Sequence, residues 1–116
     1  MSSATISTHV LDTSLGTPAA RITVTLYSID AHGVAKHIAR YVTNDDGRVT
    51  AMAPGDGKLA GGSYRLTFDV AAYFALTMRT SFYSEISINF DVGDEPQHYH
   101  VPLLLSPFGY STYRGS

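Results

Sequence analysis

Three histidines lie where an imidazole could take part in proton transfer. His98 and His100 are two positions apart, so their side chains share one face of a predicted strand. Near the other end of the chain, Ile6 and Val10 are expected to point to the core, which turns His9 to the opposite face. Because an unperturbed imidazole titrates near neutral pH, each of the three is a candidate for general acid or base chemistry.

Simpler interpretations compete with this one. His32 lies in a turn and His37 begins a strand, and a solvated surface role is favoured for both. His9 would also be an ordinary surface residue unless another subunit covers its face. The pair His98 and His100 could mark a polar entry to a strand or bind zinc, but no third ligand is obvious nearby. We therefore predict no metal site and prefer the acid/base interpretation.

Arg48 is the candidate for anion binding. It follows Asp46-Gly47, a dipeptide typical of hairpin turns, which would place Arg48 at the first residue of the next strand. A guanidinium group is planar, permanently charged and suited to carboxylates and imide-like oxyanions. The alternative is a solvent-facing arginine at a turn.

Composition excludes several classes of protein. The 116 residues suit one domain, which we predict to span 1–116, and the absence of cysteine excludes disulfides and thiol nucleophiles. A net charge of −2 argues against nucleic acid as a partner, since phosphate binding needs clustered basic side chains. Only 16% of the residues are charged, which suggests that part of the surface is covered in an oligomer.

The sequence does not support a phosphate-binding loop, a serine nucleophile, a membrane span or a signal peptide. The glycines at 55, 57, 61 and 62 form a loop without the lysine and helix of a phosphate-binding motif, and no serine has a nucleophile-elbow context. No apolar run approaches membrane-spanning length, and Met1–Thr5 lacks the features of a signal peptide. We expect a cytoplasmic protein without a membrane partner.

The strands that must position these residues are visible as hydrophobic alternation of period two. Turn signals at 15–18, 30–33, 45–47 and 54–57 separate the strands. The pattern predicts an all-β sandwich of about eight strands. The inward-facing positions are Ile22, Val24 and Leu26; Tyr64, Leu66 and Phe68; and Ile86, Ile88, Phe90 and Val92.

Two segments depart from this alternation. Asp69 is placed to cap one short helix over 70–77, in which Tyr73 and Leu76 are spaced for one face. The run 101–105 is apolar on both faces, which implies a core position or a subunit interface. Pro102 has no amide proton to donate, so one side of this strand is expected to lie at an edge or line a cavity.

Three motifs in order resemble the transthyretin-like family, over nearly the whole chain. Thr8-His9-Val10-Leu11-Asp12, with Gly16-Thr17-Pro18-Ala19 behind it, resembles the family's opening. The segment 43–48, TNDDGR, resembles its central TNxDGR motif. The ending 98–116, HYHVPLLLSPFGYSTYRGS, resembles the signature of the family's hydrolase branch, the 5-hydroxyisourate hydrolases.

The resemblance implies a two-sheet transthyretin-like β-sandwich, assembled as a homotetramer from two dimers. Outer strand faces would line a channel between the dimers, so that His9, His100 and the run 101–105 face a partner subunit instead of water. The family's catalytic positions fall on His9, Arg48 and His100 of this sequence, and the residues expected to bind substrate are Tyr113, Arg114 and Ser116.

The implied reaction is hydrolytic ring opening of 5-hydroxyisourate to 2-oxo-4-hydroxy-4-carboxy-5-ureidoimidazoline, between urate oxidation and allantoin, with no cofactor. His9 would activate water, Arg48 would hold the substrate, and His100 would orient water or protonate the leaving nitrogen. Which histidine is base and which is acid stays open. Two rival interpretations are a carrier of an iodinated aromatic hormone and a structural β-sandwich; neither accounts for these histidines together with the ending 113–116.

Overall fold

The computed structural model describes residues 4–52 and 59–116, so the predicted turn at 54–57 and the glycines at 55 and 57 lie outside the described residues. The described residues form nine strands and one helix. In chain order they are β1 (Thr5–Asp12), β2 (Thr17–Pro18), β3 (Thr23–Ile29), β4 (Ala35–Val42), β5 (Arg48–Met52), β6 (Gly62–Phe68), α1 (Val70–Leu76), β7 (Ile86–Val92), β8 (His98–Ser106) and β9 (Gly109–Thr112).

Two sheets face each other. In the first, β1 pairs in parallel with β8 along its whole length, and its other edge pairs antiparallel with β5 and then with β2. Strand β9 lies beyond β8 in this sheet. The second sheet is antiparallel throughout, in the order β4-β3-β6-β7. The predicted all-β sandwich is confirmed, and the ninth strand is the two-residue β2.

The core lies between the sheets and contains the predicted alternating positions. Burying the inner face of each strand removes apolar surface from water, which is the main force holding the sheets together. From both sheets, the completely buried side chains include Ile6, Val10, Leu103, Leu105, Val24, Leu26, Leu66 and Phe68.

The predicted helix is present, but its buried face differs from the prediction. The Asp69 carboxylate caps the helix by accepting a hydrogen bond from the Ala72 amide at 3.3 Å. Tyr73 is buried as expected, whereas Leu76 is 70% exposed, so pairing Leu76 with it was wrong. Phe74, next to Tyr73 in sequence, is buried instead. It lies four residues after the buried Val70, and residues four apart share one face of a helix.

The doubly apolar strand is β8, which lies inside the first sheet between β1 and β9. Its inner face belongs to the core, and Pro102 is buried on the opposite face. The ladder with β9 ends at the pair of Leu103 with Thr112, and the C-terminal tail pairs again only at His100 with Gly115. Pro102 therefore lies at a local gap in the ladder, where its missing amide proton costs no hydrogen bond.

Asp12, at the end of β1, anchors this sheet to the helix. Its completely buried carboxylate accepts hydrogen bonds from the Tyr73 hydroxyl at 2.7 Å, the Ser14 hydroxyl at 2.7 Å and the Arg79 guanidinium. Burial raises the pKa of Asp12, but these hydrogen bonds and the one from the Leu15 amide outweigh it and lower the pKa to about 2.

Replacing Asp12 with asparagine is expected to lower the free energy of unfolding by about 2 kcal/mol at pH 7. Because the folded-state pKa is depressed, the carboxylate stabilises the protein above about pH 4, and this contribution is lost as the pH falls towards 2. Urea unfolding at pH 7 and pH 3, at one protein concentration, measures both effects. An unchanged midpoint at pH 7 would show that the ion pair adds nothing.

Candidate functional site

Strand β1 brings together the histidines and the arginine that are far apart in sequence. Its antiparallel pairing with β5 sets His9 opposite Arg48, and its parallel pairing with β8 sets Ser7 opposite His100. Since Ser7 and His9 alternate with buried Ile6 and Thr8, they lie on the face of the sheet that points away from the core. We call this the outer face; it carries Ser7, His9, Arg48, His98 and His100.

A compact turn positions Arg48. The Asn44 side-chain oxygen accepts hydrogen bonds from the amides of Asp46 and Arg48 at 2.9 and 3.0 Å. Gly47 adopts a φ of 73°, and its carbonyl oxygen accepts from the Val10 amide at 2.8 Å. A Cβ atom at Gly47 would lie 2.5 Å from the Val10 carbonyl oxygen, so only glycine allows this approach to β1.

This turn is not the predicted hairpin. Strand β4 before it belongs to the second sheet, whereas β5 after it pairs with β1 in the first. The chain therefore crosses between the two sheets at residues 43–47, and the crossing delivers Arg48 to the outer face beside His9.

A polar cavity of about 210 Å³ opens on the outer face. Arg48 and His100 both line it, as does Ser116 from the tail. His9 is not among the lining residues, but it lies opposite Arg48 in the pair of β1 and β5. The other lining residues are Ser7, Thr8, Val49, Thr50 and His98. The structure thus brings the three predicted catalytic residues and Ser116 to one place.

Tyr113 and Arg114 lie elsewhere in the single chain. They line a second, more apolar hollow of about 270 Å³, which His100 borders from the other side. The Arg114 guanidinium packs over the ring of Tyr99 at 4.7 Å and donates a hydrogen bond to Gln97 at 2.8 Å. Their predicted contact with substrate stays a prediction.

The tail approaches His100 very closely. The Gly115 amide donates to the His100 carbonyl oxygen at 2.8 Å. A Cβ atom at Gly115 would lie 2.5 Å from Cδ2 of the His100 ring and 3.3 Å from Cγ of Pro102. Glycine is therefore needed here for space, and the tail forms a wall against the His100 ring.

Burial and the charge of Arg48 both lower the pKa of two site histidines. Burial lowers the pKa of His9, and the positive charge of Arg48 lowers it further, while the carbonyl and charge of Asp46 act in the opposite direction. Burial likewise lowers the pKa of His100, with Arg48, His98 and His9 adding to the effect. Both shifts favour the uncharged imidazole, which is the form required of a general base.

Ser7 joins the site although no motif in the sequence marks it. Its hydroxyl oxygen lies 2.7 Å from Nε2 of His98 and 2.7 Å from Nδ1 of His100, so it bridges the two histidines. On the far side of His98, the Thr5 hydroxyl lies 2.6 Å from Nδ1. The only signal in the sequence is that Ser7 shares a strand face with His9; its contact with the other two histidines depends on strand pairing.

Residues 4–52 and 59–116 contain no cluster of three or more His, Cys, Asp or Glu side chains arranged to hold a metal ion. Within the same residues, no helix is long and apolar enough to cross a membrane.

Known proteins resemble this chain over nearly its whole length. The family model described as HIUase/Transthyretin family matches residues 6–115. The chain belongs to this family. It is 43% identical to a 5-hydroxyisourate hydrolase of Halalkalibacterium halodurans, and the alignment covers 96% of this chain and 97% of the relative.

Solved structures of the HIUase/Transthyretin family share the fold. A 5-hydroxyisourate hydrolase of Klebsiella pneumoniae superposes with a TM-score of 0.83 at 41% identity, covering 97% of this chain and 99% of the other. A sea bream transthyretin in complex with thyroxine superposes with a TM-score of 0.86 at 31% identity, covering 95% and 93%. A hydrolase and a transthyretin therefore share this fold, and the function has to be argued from the residues of the site.

Proposed function

We propose that this protein hydrolyses 5-hydroxyisourate to 2-oxo-4-hydroxy-4-carboxy-5-ureidoimidazoline in urate degradation. The observation that carries the proposal is a polar cavity lined by Arg48 and His100, with His9 paired to Arg48 in the neighbouring strand, in a chain that matches 5-hydroxyisourate hydrolases over nearly its whole length. Two imidazoles with lowered pKa values near a permanent cation suit hydrolysis of a cyclic amide.

Each side chain has a defined part in the proposed reaction. His9 accepts a proton from water as the water oxygen attacks the lactam carbonyl carbon. Arg48 binds the substrate and stabilises the negative charge that grows on the carbonyl oxygen. The carbon–nitrogen bond then breaks as His9 passes this proton to the leaving nitrogen, and His100 orients the attacking water by donating a hydrogen bond from Nε2. Ser116 closes the cavity beside these groups.

The direct test is an assay with freshly generated substrate. Urate is oxidised to 5-hydroxyisourate, and the decay of this unstable product is followed by absorbance with and without micromolar protein. Faster decay, with accumulation of the imidazoline product, is the expected result. Decay that matches the uncatalysed rate would overturn the proposal.

The carrier function does not fit the cavity as well. Seven of the eight lining residues are polar, with Val49 the exception, whereas a large iodinated aromatic ligand needs an apolar pocket. A thyroxine-binding measurement on the same preparation tests this directly: tight binding without hydrolysis would favour the carrier.

The active form is proposed to be a homotetramer made from two dimers. Among residues 4–52 and 59–116, β7 and β9 lie at sheet edges with a partner strand on one side only, and Leu11 and Leu104 of the outer face are half-buried. A second copy that covers these surfaces would also enclose the cavity and exclude water from it. Light scattering after gel filtration should give the mass of four chains of 12.5 kDa. The cytoplasm is proposed as the compartment.

Replacing Gly115 with alanine is expected to lower kcat/KM on the order of 100-fold, because the new Cβ pushes the His100 ring out of position. Gly109→Ala is the matched control, since a Cβ there meets only the Ser106 hydroxyl oxygen at 3.8 Å. The decay assay compares the two variants. Full activity of Gly115→Ala would show that the tail does not hold the ring in place.

A further inference from the structure

A chain of hydrogen bonds runs along the outer face behind the cavity. It begins at the Thr5 hydroxyl, passes through both ring nitrogens of His98, continues to the Ser7 hydroxyl and ends at Nδ1 of His100. Every link measures 2.6 or 2.7 Å. Ser7 is only 7% exposed, so its hydroxyl is committed to the two histidines.

The single proton of the Ser7 hydroxyl couples the two rings. A hydroxyl that donates to one ring nitrogen must accept a hydrogen bond from the other, so His98 and His100 cannot choose their tautomers independently. If Ser7 donates to Nδ1 of His100, then His98 carries its proton on Nε2 and accepts from Thr5 at Nδ1. If Ser7 instead donates to Nε2 of His98, it accepts from His100, which then carries its proton on Nδ1.

Only one direction of the hydrogen-bond chain suits a hydrogen-bond donor at the cavity. With Nδ1 of His100 held by Ser7, the nitrogen left for substrate is Nε2. Donation from Nε2 requires the proton to be there, which is the direction in which Ser7 donates and His98 holds its proton on Nε2. The charged and titratable groups around His100 are His9, Arg48 and His98. Arg48 is always charged and only donates hydrogen bonds, so it cannot accept one from Nδ1 in place of Ser7.

We propose that Ser7 is a positioning residue for the hydrolytic reaction: with His98 and Thr5 behind it, it holds the His100 ring and keeps its proton on Nε2. This rests on the proposed function, in which His100 orients the attacking water through a hydrogen bond from Nε2. Ser7 acts through His100 and takes no part in bond making or breaking. His98, an exposed member of the same chain, determines the direction of the Ser7 hydroxyl.

The register of two strands creates the arrangement. In the parallel pair of β1 and β8, Thr5 lies opposite His98 and Ser7 opposite His100. Side chains of directly paired residues lie on the same face about 5 Å apart, which leaves room for one hydrogen bond between a hydroxyl and an imidazole. A shift of one residue would send both hydroxyls into the core.

Three substitutions at Ser7 separate the hydroxyl from the shape of the side chain. Ser7→Val and Ser7→Thr have nearly the same volume, but only threonine keeps the hydroxyl. We expect Ser7→Val to lower kcat by about 10- to 100-fold with KM changed less than about 2-fold, and Ser7→Thr to stay within a few-fold of wild type. Ser7→Ala should resemble valine. Equal kcat for valine and threonine variants would overturn the proposal.

A second readout does not depend on activity. Two-bond nitrogen–proton correlation spectra of the imidazoles report which ring nitrogen carries the proton. We expect the proton of His100 on Nε2 in the wild-type protein and in Ser7→Thr, and a mixture of tautomers in Ser7→Val. A proton on Nδ1 of His100 in the wild type would overturn the proposal.

His98→Ala tests the part of the hydrogen-bond chain that lies beyond Ser7. It leaves the Ser7 hydroxyl in place but removes the group that determines its direction, so a smaller loss of kcat than in Ser7→Val is expected. An unchanged kcat and an unchanged His100 spectrum would remove His98 from the proposal. If the wild-type protein itself fails to hydrolyse 5-hydroxyisourate, the proposed function fails, and the spectra still decide whether Ser7 holds His100.

Discussion

Replacing Arg48 with alanine is expected to lower kcat/KM by about 10²–10³-fold while the protein stays folded. The guanidinium is the group nearest His9 in the paired strand, and it lies at the rim of the polar cavity. Removing it takes away the stabilisation of a growing oxyanion, a contribution of about 3–4 kcal/mol in comparable sites. Because Arg48 is exposed, its loss should change the free energy of unfolding by less than about 0.5 kcal/mol. The decay assay and a urea titration measure the two quantities.

Arg40→Ala is the matched control for this substitution. Arg40 is also an exposed strand arginine, but it lies on β4 in the second sheet, away from the cavity. It should retain wild-type activity. Equal losses in the two variants would mean that net charge matters and that Arg48 has no special position. Undiminished activity in Arg48→Ala would remove this residue from the site.

His9→Ala is expected to lower kcat by about 10²–10⁴-fold, the usual contribution of a general base. Its pKa is lowered by burial and by Arg48, which favours the neutral imidazole that can accept a proton. The loss should appear in kcat more than in KM, because the base acts only as water attacks. Single-turnover and steady-state rates of ring opening distinguish these parameters.

His37→Ala is the matched control for His9→Ala. His37 is an exposed strand histidine whose ring contacts that of Tyr27 on the second sheet, and it should be dispensable. Wild-type activity in His9→Ala, in a preparation with the mass of the wild-type oligomer, would assign the base to another residue. His100 would then be the first to test.

The dependence of rate on pH follows from the same shifts. A neutral base is lost as the pH falls through its folded-state pKa, and burial and Arg48 place the pKa of both His9 and His100 below the ordinary value of about 6.5. The acid limb of kcat/KM in the wild type should therefore lie below pH 6.5. In Arg48→Ala, imidazole titration by NMR should show both midpoints raised, since the neighbouring positive charge has gone while burial remains.

Local patterns in the sequence were sufficient for much of the fold. Alternation of period two identified the inner faces of β3, β6 and β7, and Asp69 marked the start of the helix. These features depend on residues within a few positions of one another, so a linear reading captures them. The same reasoning turned His9 away from the core, and the family motifs singled out Arg48 and His100.

Pairing between distant segments could not be deduced in this way. Asp46-Gly47 suggested a hairpin, yet β5 pairs with β1, more than 35 residues away in sequence, because the core requires the chain to change sheets there. Leu76 was expected to be buried and is exposed, because the path of α1 over the sheet turns Phe74 inward instead.

By itself, the sequence determined which residue types are available for chemistry and which face of a strand each one occupies. Only the tertiary structure decided which of them meet. The parallel register of β1 and β8 places Ser7 between two histidines, and the tail reaches His100 because Gly115 leaves room for its ring. The physical reason is that alternation specifies a face but no partner; partner and register are set by long-range packing of the core.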